Sequence, residues 1–199
     1  MKEICLNDSI GDPHTVIYDD LGTISPTTLR YTKVLADLSF LFGPLDGMRI
    51  CEIGVGYGGQ CRLISALHKV ELYRLVDLPS VLSLSKRYLE HFNINPSVEF
   101  TRPDELVPEH YDLVISNYAF SELRREVQNF YLANILRHSN RGYMTCNQIT
   151  PESFGSLSPG EISEAIKSST IIPELPQTPP KNCLVVWGTN SALRLVKLL

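Results

Sequence analysis

A chain of 199 residues with 43% hydrophobic residues suits one domain built on a single core. Lys and Arg number 18 against 22 Asp and Glu, a net charge of −4, and no run of like charge forms the basic stripe that phosphate-backbone binding needs, so a nucleic-acid partner is not expected. The five cysteines, Cys5, Cys51, Cys61, Cys146 and Cys183, stand apart without a CxxC pair or a Cys/His cluster at zinc-ligand spacing, so no metal centre is expected and they read as small buried hydrophobes. The opening MKEICLNDSIGDPH lacks the apolar stretch of a secretory signal, and no window approaches the roughly 18 uninterrupted apolar residues of a membrane span, which points to a cytoplasmic protein.

Residues 1–26 hold Gly11, Pro13, Gly22 and Pro26 among polar residues with no sustained period, and read as an irregular arm ahead of a domain over 27–199. Tyr31, Val34, Leu35, Leu38, Leu41 and Phe42 then keep the i, i+3, i+4, i+7 spacing of an amphipathic helix, stopped by Gly43-Pro44. A first strand is predicted at 49–55, running into a glycine cluster and a helix near 60–68, and a second strand at 72–78. Pro79 and Ser80 open a helix with Val81, Leu84, Tyr88 and Phe92 on one face, which residues 93–96 close. A third strand at 98–101 and a fourth at 111–117 follow. Next comes a helix with Leu123, Val127, Phe130, Tyr131 and Ile135 on one side, ended by Gly142, and a fifth strand at 143–149.

Repeated strand-then-helix order with nearly all-apolar strands predicts a parallel sheet covered on both faces, a doubly wound α/β fold. The last section differs: a helix near 159–168, a strand at 170–174, the connection PQTPPK and a strand at 183–188. The connection is too short for a helical crossover, so these two strands should form an antiparallel hairpin at the sheet edge.

In ICEIGVGYGGQ the first strand carries Glu52 and runs into Gly54, Gly56, Gly58 and Gly59, residues that let the backbone turn sharply and approach a ligand. Gly54, Gly56 and Gly59 also satisfy GxGxxG, with Asp77 near the place of a ribose-binding acid, so the glycines alone leave a nicotinamide-dependent oxidoreductase open. Glu52 tips the balance. Burying a carboxylate two residues before the first glycine is costly unless something pairs with it. The ammonium of a methionine moiety would pair with it, whereas a dinucleotide pyrophosphate would be repelled.

E-x-G-x-G-x-G followed by an acid ending the next strand resembles the class I S-adenosylmethionine (SAM) methyltransferases. The resemblance covers about residues 27 to 188 and implies a Rossmann-like seven-stranded sheet in the order 3-2-1-4-5-7-6 with strand 7 antiparallel. More narrowly, EIGVGYGGQ, VDLPSV, SNYAFSEL and GYM…N, with GDP…ISPTTLRY ahead of them, resemble sugar O-methyltransferases found among bacterial surface-polysaccharide genes. The resemblance implies SAM as cofactor, with Glu52, Gly54, Gly56, Tyr57 and Gly58 around its amino-acid part, Asp77 on the ribose hydroxyls, Leu78 packed on the adenine and Asp104 at the adenine amine.

The loop after the fourth strand, with Asn117 and Tyr118, should face the transferable methyl group, Phe120 being equally suited to core packing. Asn147 and Gln148, placed at the end of the fifth strand, and Arg30 in the first helix are candidates to bind a polyol acceptor. As general base the sequence offers Glu122, expected to open the helix after the fourth strand, and next His14 in the arm. Each has a plain structural alternative: Asp77 as a helix cap, Asp104 as a solvated loop acid, and Glu122 as a residue favoured by a helix N-terminus. The expectation is therefore SAM-dependent methyl transfer to a hydroxyl of a sugar or sugar conjugate. The rivals are another acceptor such as a phenol or a protein, the oxidoreductase, and a non-catalytic cofactor-binding module.

Overall fold

A computed structural model describes residues 1–94 and 97–189. Pro96, expected to help close a helix, and residues 190–199 of the expected domain lie outside the described residues.

The arm is more ordered than its lack of period predicts. It holds α1 (Lys2–Cys5), a 3-10 turn and a small antiparallel hairpin of β1 (Val16–Tyr18) and β2 (Gly22–Ile24). Strands of three residues are too short to print an alternation in the sequence. Side chains fasten the arm: Asn7 Nδ2 donates to the Gly59 carbonyl at 3.0 Å, and the Tyr88 hydroxyl donates to the Asn7 carbonyl at 3.0 Å. The carboxylate of Asp8 accepts from Ser25 N, Ser25 Oγ and Thr28 Oγ1, each at 2.7 Å.

Helix α2 (Pro26–Phe42) starts at a Ser25 cap whose Oγ accepts from Thr28 N at 3.1 Å, with proline in the first turn where its missing N–H costs nothing. Its predicted stripe is buried at Val34, Leu35, Leu38, Leu41 and Phe42. The chain continues through β3 (Arg49–Ile53), α3 (Gly59–Leu67), β4 (Leu72–Val76), α4 (Pro79–Leu89), β5 (Ser97–Thr101), β6 (Tyr111–Asn117), α5 (Arg125–Asn134), β7 (Ser139–Cys146), α6 (Pro159–Ala165), β8 (Ser169–Pro173) and β9 (Cys183–Trp187).

The seven-stranded sheet runs β5-β4-β3-β6-β7-β9-β8. The first five of these are mutually parallel, and β9 is antiparallel to both β7 and β8. In chain order this is 3-2-1-4-5-7-6 with an antiparallel seventh strand, as expected. Alternate residues of β3 serve opposite layers: Ile50 packs with the apolar faces of α2, α3 and α4, while Cys51 and Ile53 pack toward α5 and α6. No helix among the described residues is long and apolar enough to cross a membrane.

Several boundaries shift, with consequences for the site. The first two strands of the big sheet stop at Ile53 and Val76, so Val55, Asp77 and Leu78 belong to loops at their carboxyl ends. The fifth begins at Ser139 and ends at Cys146, so Asn147 and Gln148 lie past it. Gly142 does not end a helix. It sits inside β7 opposite Trp187, where a Cβ would stand 2.0 Å from Trp187 Cζ2, so the indole occupies the space a side chain would need. Helix α5 also presents a different face: Val127 and Phe130 are 37% and 38% exposed, and Gln128 is buried instead. Its amide explains this, for Nε2 donates to the Phe120 carbonyl at 2.9 Å and Oε1 accepts from Leu157 N at 2.6 Å, satisfying two buried loop groups.

Candidate functional site

The carboxyl ends of β3, β4, β6 and β7 converge where the strand order reverses, the place at which open α/β sheets bind ligands. After β3 the Gly54 N–H donates to the Val76 carbonyl at 3.0 Å, and Asp77 ties the loop down: Oδ2 accepts from Val55 N at 2.8 Å and Oδ1 from Leu78 N at 2.7 Å. Asp77 thus does bond beside the following helix start, yet a carboxylate has about four acceptor directions, and these two bonds leave it capacity for more. Gly54 is required twice over. Its φ is +79°, and a Cβ there would lie 2.0 Å from that of Ala119 in the loop after β6, so only glycine lets the two loops meet.

Glu52 is 2% exposed. Register places it opposite Leu75 and Tyr73 opposite Ile50, two positions back on the same face, so the Tyr73 hydroxyl reaches Glu52 Oε2 and donates at 2.7 Å. Burial raises the carboxyl to about 8; the Tyr73 hydrogen bond works against that rise and the Asp77 charge adds to it. At neutral pH the group is largely a neutral acid that a nearby cation would ionise. Beside it Tyr57 packs edge-on between Tyr31 at 5.8 Å and Tyr88 at 4.7 Å, a wall assembled from α2, the glycine loop and α4. Leu78 is 60% exposed at the mouth.

Across the crevice Asn117 ends β6. Its Oδ1 accepts from Thr145 Oγ1 at 3.4 Å, while Nδ2 is buried without a hydrogen-bond partner among the described residues, as is Gln60 Oε1 in α3. A buried unpartnered donor at a sheet edge is an invitation to a ligand acceptor. Tyr118 follows with a φ of +66°, a rare conformation for a non-glycine residue, and its ring lies 5.6 Å from the exposed Arg30 guanidinium. Its hydroxyl donates to Glu174, a buried carboxylate from the segment after β8. Phe120 is fully buried and serves the core.

Glu122 is not where the sequence reading put it. It ends a 3-10 turn (Ala119–Glu122), and extended backbone at Leu123 and Arg124 intervenes before α5 begins at Arg125, so it lies outside the first turn of that helix. It is exposed, with Oε1 accepting from Asn147 Nδ2 at 2.5 Å. Asn147 also holds Ser121, accepting from its Oγ at 3.2 Å, and together with Gln148, Thr150 and Glu152 they line a cleft of about 330 Å³. Two other candidates stay apart from this cluster. His14 is exposed and makes no hydrogen bond among the described residues. Both carboxylate oxygens of the exposed Asp104 are held by Arg102, at 2.9 and 2.6 Å, because the two share one short turn. A surface cleft of about 670 Å³ lies by the C-terminal ends of α3 and α4, away from the glycine loop.

Tyr73, Tyr31 and Glu174 were not foreseen. Tyr73 is visible only once strand register is known, and Glu174 only once the edge hairpin is seen to fold its connection back onto the loop after β6.

No family model matches the chain, and no curated protein sequence matches it. Among solved structures the chain is similar to the magnesium protoporphyrin IX methyltransferase ChlM from Synechocystis PCC 6803 with bound SAM, at a TM-score of 0.60 and 14% identity over 79% of this chain and 76% of that one. It is similar to TehB from Haemophilus influenzae at 0.58 and 18%, over 77% and 60% of the two chains. It is also similar to the mitomycin 7-O-methyltransferase MmcR at 0.57 and 14%, over 80% and 53%. The chain therefore spans somewhat over half the length of the last two. What the three share with it is the fold alone, a Rossmann-like α/β architecture.

Proposed function

We propose that the chain is a SAM-dependent O-methyltransferase of the cytoplasm, acting on a hydroxyl of a sugar or sugar conjugate. The observation that carries the donor assignment is the buried Glu52 beside the glycine loop, with Asp77 at the next strand end. A methionine ammonium would ionise the buried Glu52 and pair with it, and the ribose hydroxyls would give Asp77 further donors. A dinucleotide would bring its pyrophosphate to two acids instead. The unpartnered Asn117 Nδ2 and the glycine cradle fit the same occupant.

On this reading Glu52, Gly54, Gly56, Tyr57 and Gly58 surround the amino-acid part, Asp77 holds the ribose, Leu78 covers the adenine, and Asn117 and Tyr118 face the methyl. Asp104 would reach the adenine amine only by sharing its carboxylate with Arg102. SAM supplies an electrophilic methyl group, and the protein's main task is to hold an acceptor oxygen at a near-attack distance of about 3–3.5 Å. The solved structures of similar fold name dissimilar acceptors, so the sugar assignment rests on the resemblance of this chain's motifs to sugar O-methyltransferases, supported by Asn147, Gln148, Ser121 and Thr150, which offer amides and hydroxyls around one cleft, with Arg30 above Tyr118. Methyl-labelled SAM incubated with sugar nucleotides, oligosaccharides, phenols and peptides tests it. A labelled saccharide is the expected product. Label confined to phenols or peptides would refute the sugar assignment.

A further inference from the structure

Resting on the methyl-donor reading, the remaining question is where the acceptor's proton goes. Tyr118 stands between Asn117, with its unpartnered amide, and Ala119, which touches Gly54, so it belongs to the wall of the transfer site. It is held at a φ of +66°, and such conformations persist where the surroundings over-determine them, often at reacting centres. Its hydroxyl donates to Glu174, and Glu174 is 6% exposed. The second oxygen of Glu174 accepts from Thr178 Oγ1 at 2.9 Å, and Thr178 Oγ1 accepts from Asn182 Nδ2 at 3.0 Å, so the carboxylate is fixed from the edge hairpin's own connection. Glu174 makes no salt bridge among the described residues. Burial pushes the Glu174 carboxyl up, but the hydrogen bonds from Tyr118, Thr178 and Asn182 outweigh it and hold the group below the usual carboxylate range, so an ionised acceptor stands against the Tyr118 hydroxyl and passes on any proton it takes. Glu122, exposed and bonded to Asn147, lacks that setting.

We propose that Tyr118 and Glu174 are the proton outlet of methyl transfer: Tyr118 Oη takes the acceptor hydroxyl's proton as its own proton passes to Glu174 Oε1. The acceptor oxygen's lone pair forms the bond to the methyl carbon, and the broken C–S bond leaves its electron pair on a neutral thioether sulfur. The O–H proton moves to Tyr118, the Tyr118 proton to Glu174, and the neutral Glu174 acid later releases it to water. A strong base is unnecessary, because the hydroxyl becomes acidic as its oxygen bonds to carbon. Tyr118 is here a catalytic residue and Glu174 a positioning residue that acts through it. The titratable groups facing Glu174 are Tyr118, Arg30 beyond its ring, Tyr143 from β7 and Cys183 from β9.

The test uses the full chain with Tyr118→Phe, Glu174→Gln and Glu174→Asp. S-adenosylhomocysteine affinity is read by calorimetry, and kcat is read on whichever hydroxyl compound of the labelled panel is methylated. The expected result is a fall in kcat of about 10²–10⁴-fold for Tyr118→Phe and for Glu174→Gln, with affinity kept, partial recovery in Glu174→Asp, and a double variant no slower than either single one. Turnover of Glu174→Gln should rise in proportion to hydroxide where the wild type is flat, a change that a merely structural carboxylate would not produce. Without any acceptor, the ¹³Cζ resonance of Tyr118 should shift in Glu174→Gln. Unchanged turnover in Glu174→Gln, an unmoved resonance, or no methylated hydroxyl acceptor at all despite homocysteine-adduct binding would overturn the relay alone. Failure of the wild type to bind S-adenosylhomocysteine would overturn the donor reading with it. Tyr118→Phe, which removes a single hydroxyl, keeps the test valid if the Glu174 variants do not fold.

Discussion

Glu52 concentrates the chemistry of the site in one titration. Its carboxyl is raised by burial from the ordinary range near 4.5 to about 8. The folded chain therefore keeps a proton that the unfolded chain has released, over the whole window between those values. Stability contributed by this group is fully present below about 4.5 and is lost as pH rises through about 8. A bound ammonium reverses the preference by favouring the charged form, so donor binding should release protons and tighten between pH 6 and 8. Glu52→Gln is expected to flatten the fall in Tm over that window while weakening S-adenosylhomocysteine markedly. Denaturation followed across pH, with calorimetry in two buffers of different ionisation enthalpy, checks both. A wild-type Tm that does not fall as pH rises to 8.5, or a Gln variant that binds as tightly, would contradict the role given to Glu52.

At the scale of elements, the hairpin of β8 and β9 depends on one close approach. Gly142 in β7 lies under Trp187 of β9, whose indole N–H donates to Ser139 Oγ at 3.1 Å. Gly142→Ala would force a methyl into the ring and should destabilise the chain by about 1–3 kcal/mol or more, the usual range for overpacking. Urea unfolding measures it, and a change below about 0.5 kcal/mol, the scatter of neutral surface changes, would show that the strands part without cost. The same glycine shows what the sequence hides. It was legible as a break after a helix, whereas its real constraint is a side chain 45 residues downstream, unknowable without cross-strand register. The parallel sheet and its edge hairpin were legible because parallel strands buried on both faces read as apolar runs, and because the short connection PQTPPK permits only antiparallel return, whereas the strand order came from the family resemblance alone. The face of α5 was not, since Gln128 is buried by loop backbone groups that no periodicity records. Within the site, Glu52, Gly54 and Asp77 were legible from their strand-end spacing. Tyr73 and Glu174 were not, because each meets its partner through tertiary register.

Across the whole molecule, a seven-stranded sheet exposes one carboxyl edge, and the arm is bonded to α2, α3 and α4 through Asn7 and Asp8. Glu52, Asp77 and the Asn117-Tyr118 pair gather there from three separate stretches of sequence, which is why a bound donor should stabilise the fold as a unit. The central claim is the identity of that donor. The most direct measurement is thermal unfolding and calorimetry of the full chain with S-adenosylhomocysteine, with a nicotinamide dinucleotide, and with the Asp77→Ala variant beside the wild type. At about 100 times its dissociation constant S-adenosylhomocysteine should add about 2.7 kcal/mol, roughly 5–10 °C in Tm. Asp77→Ala should lose about 1.5–3 kcal/mol of that binding as the ribose hydroxyls lose a charged acceptor. Stabilisation by the dinucleotide in place of S-adenosylhomocysteine, or equal affinity in wild type and Asp77→Ala, would contradict the account.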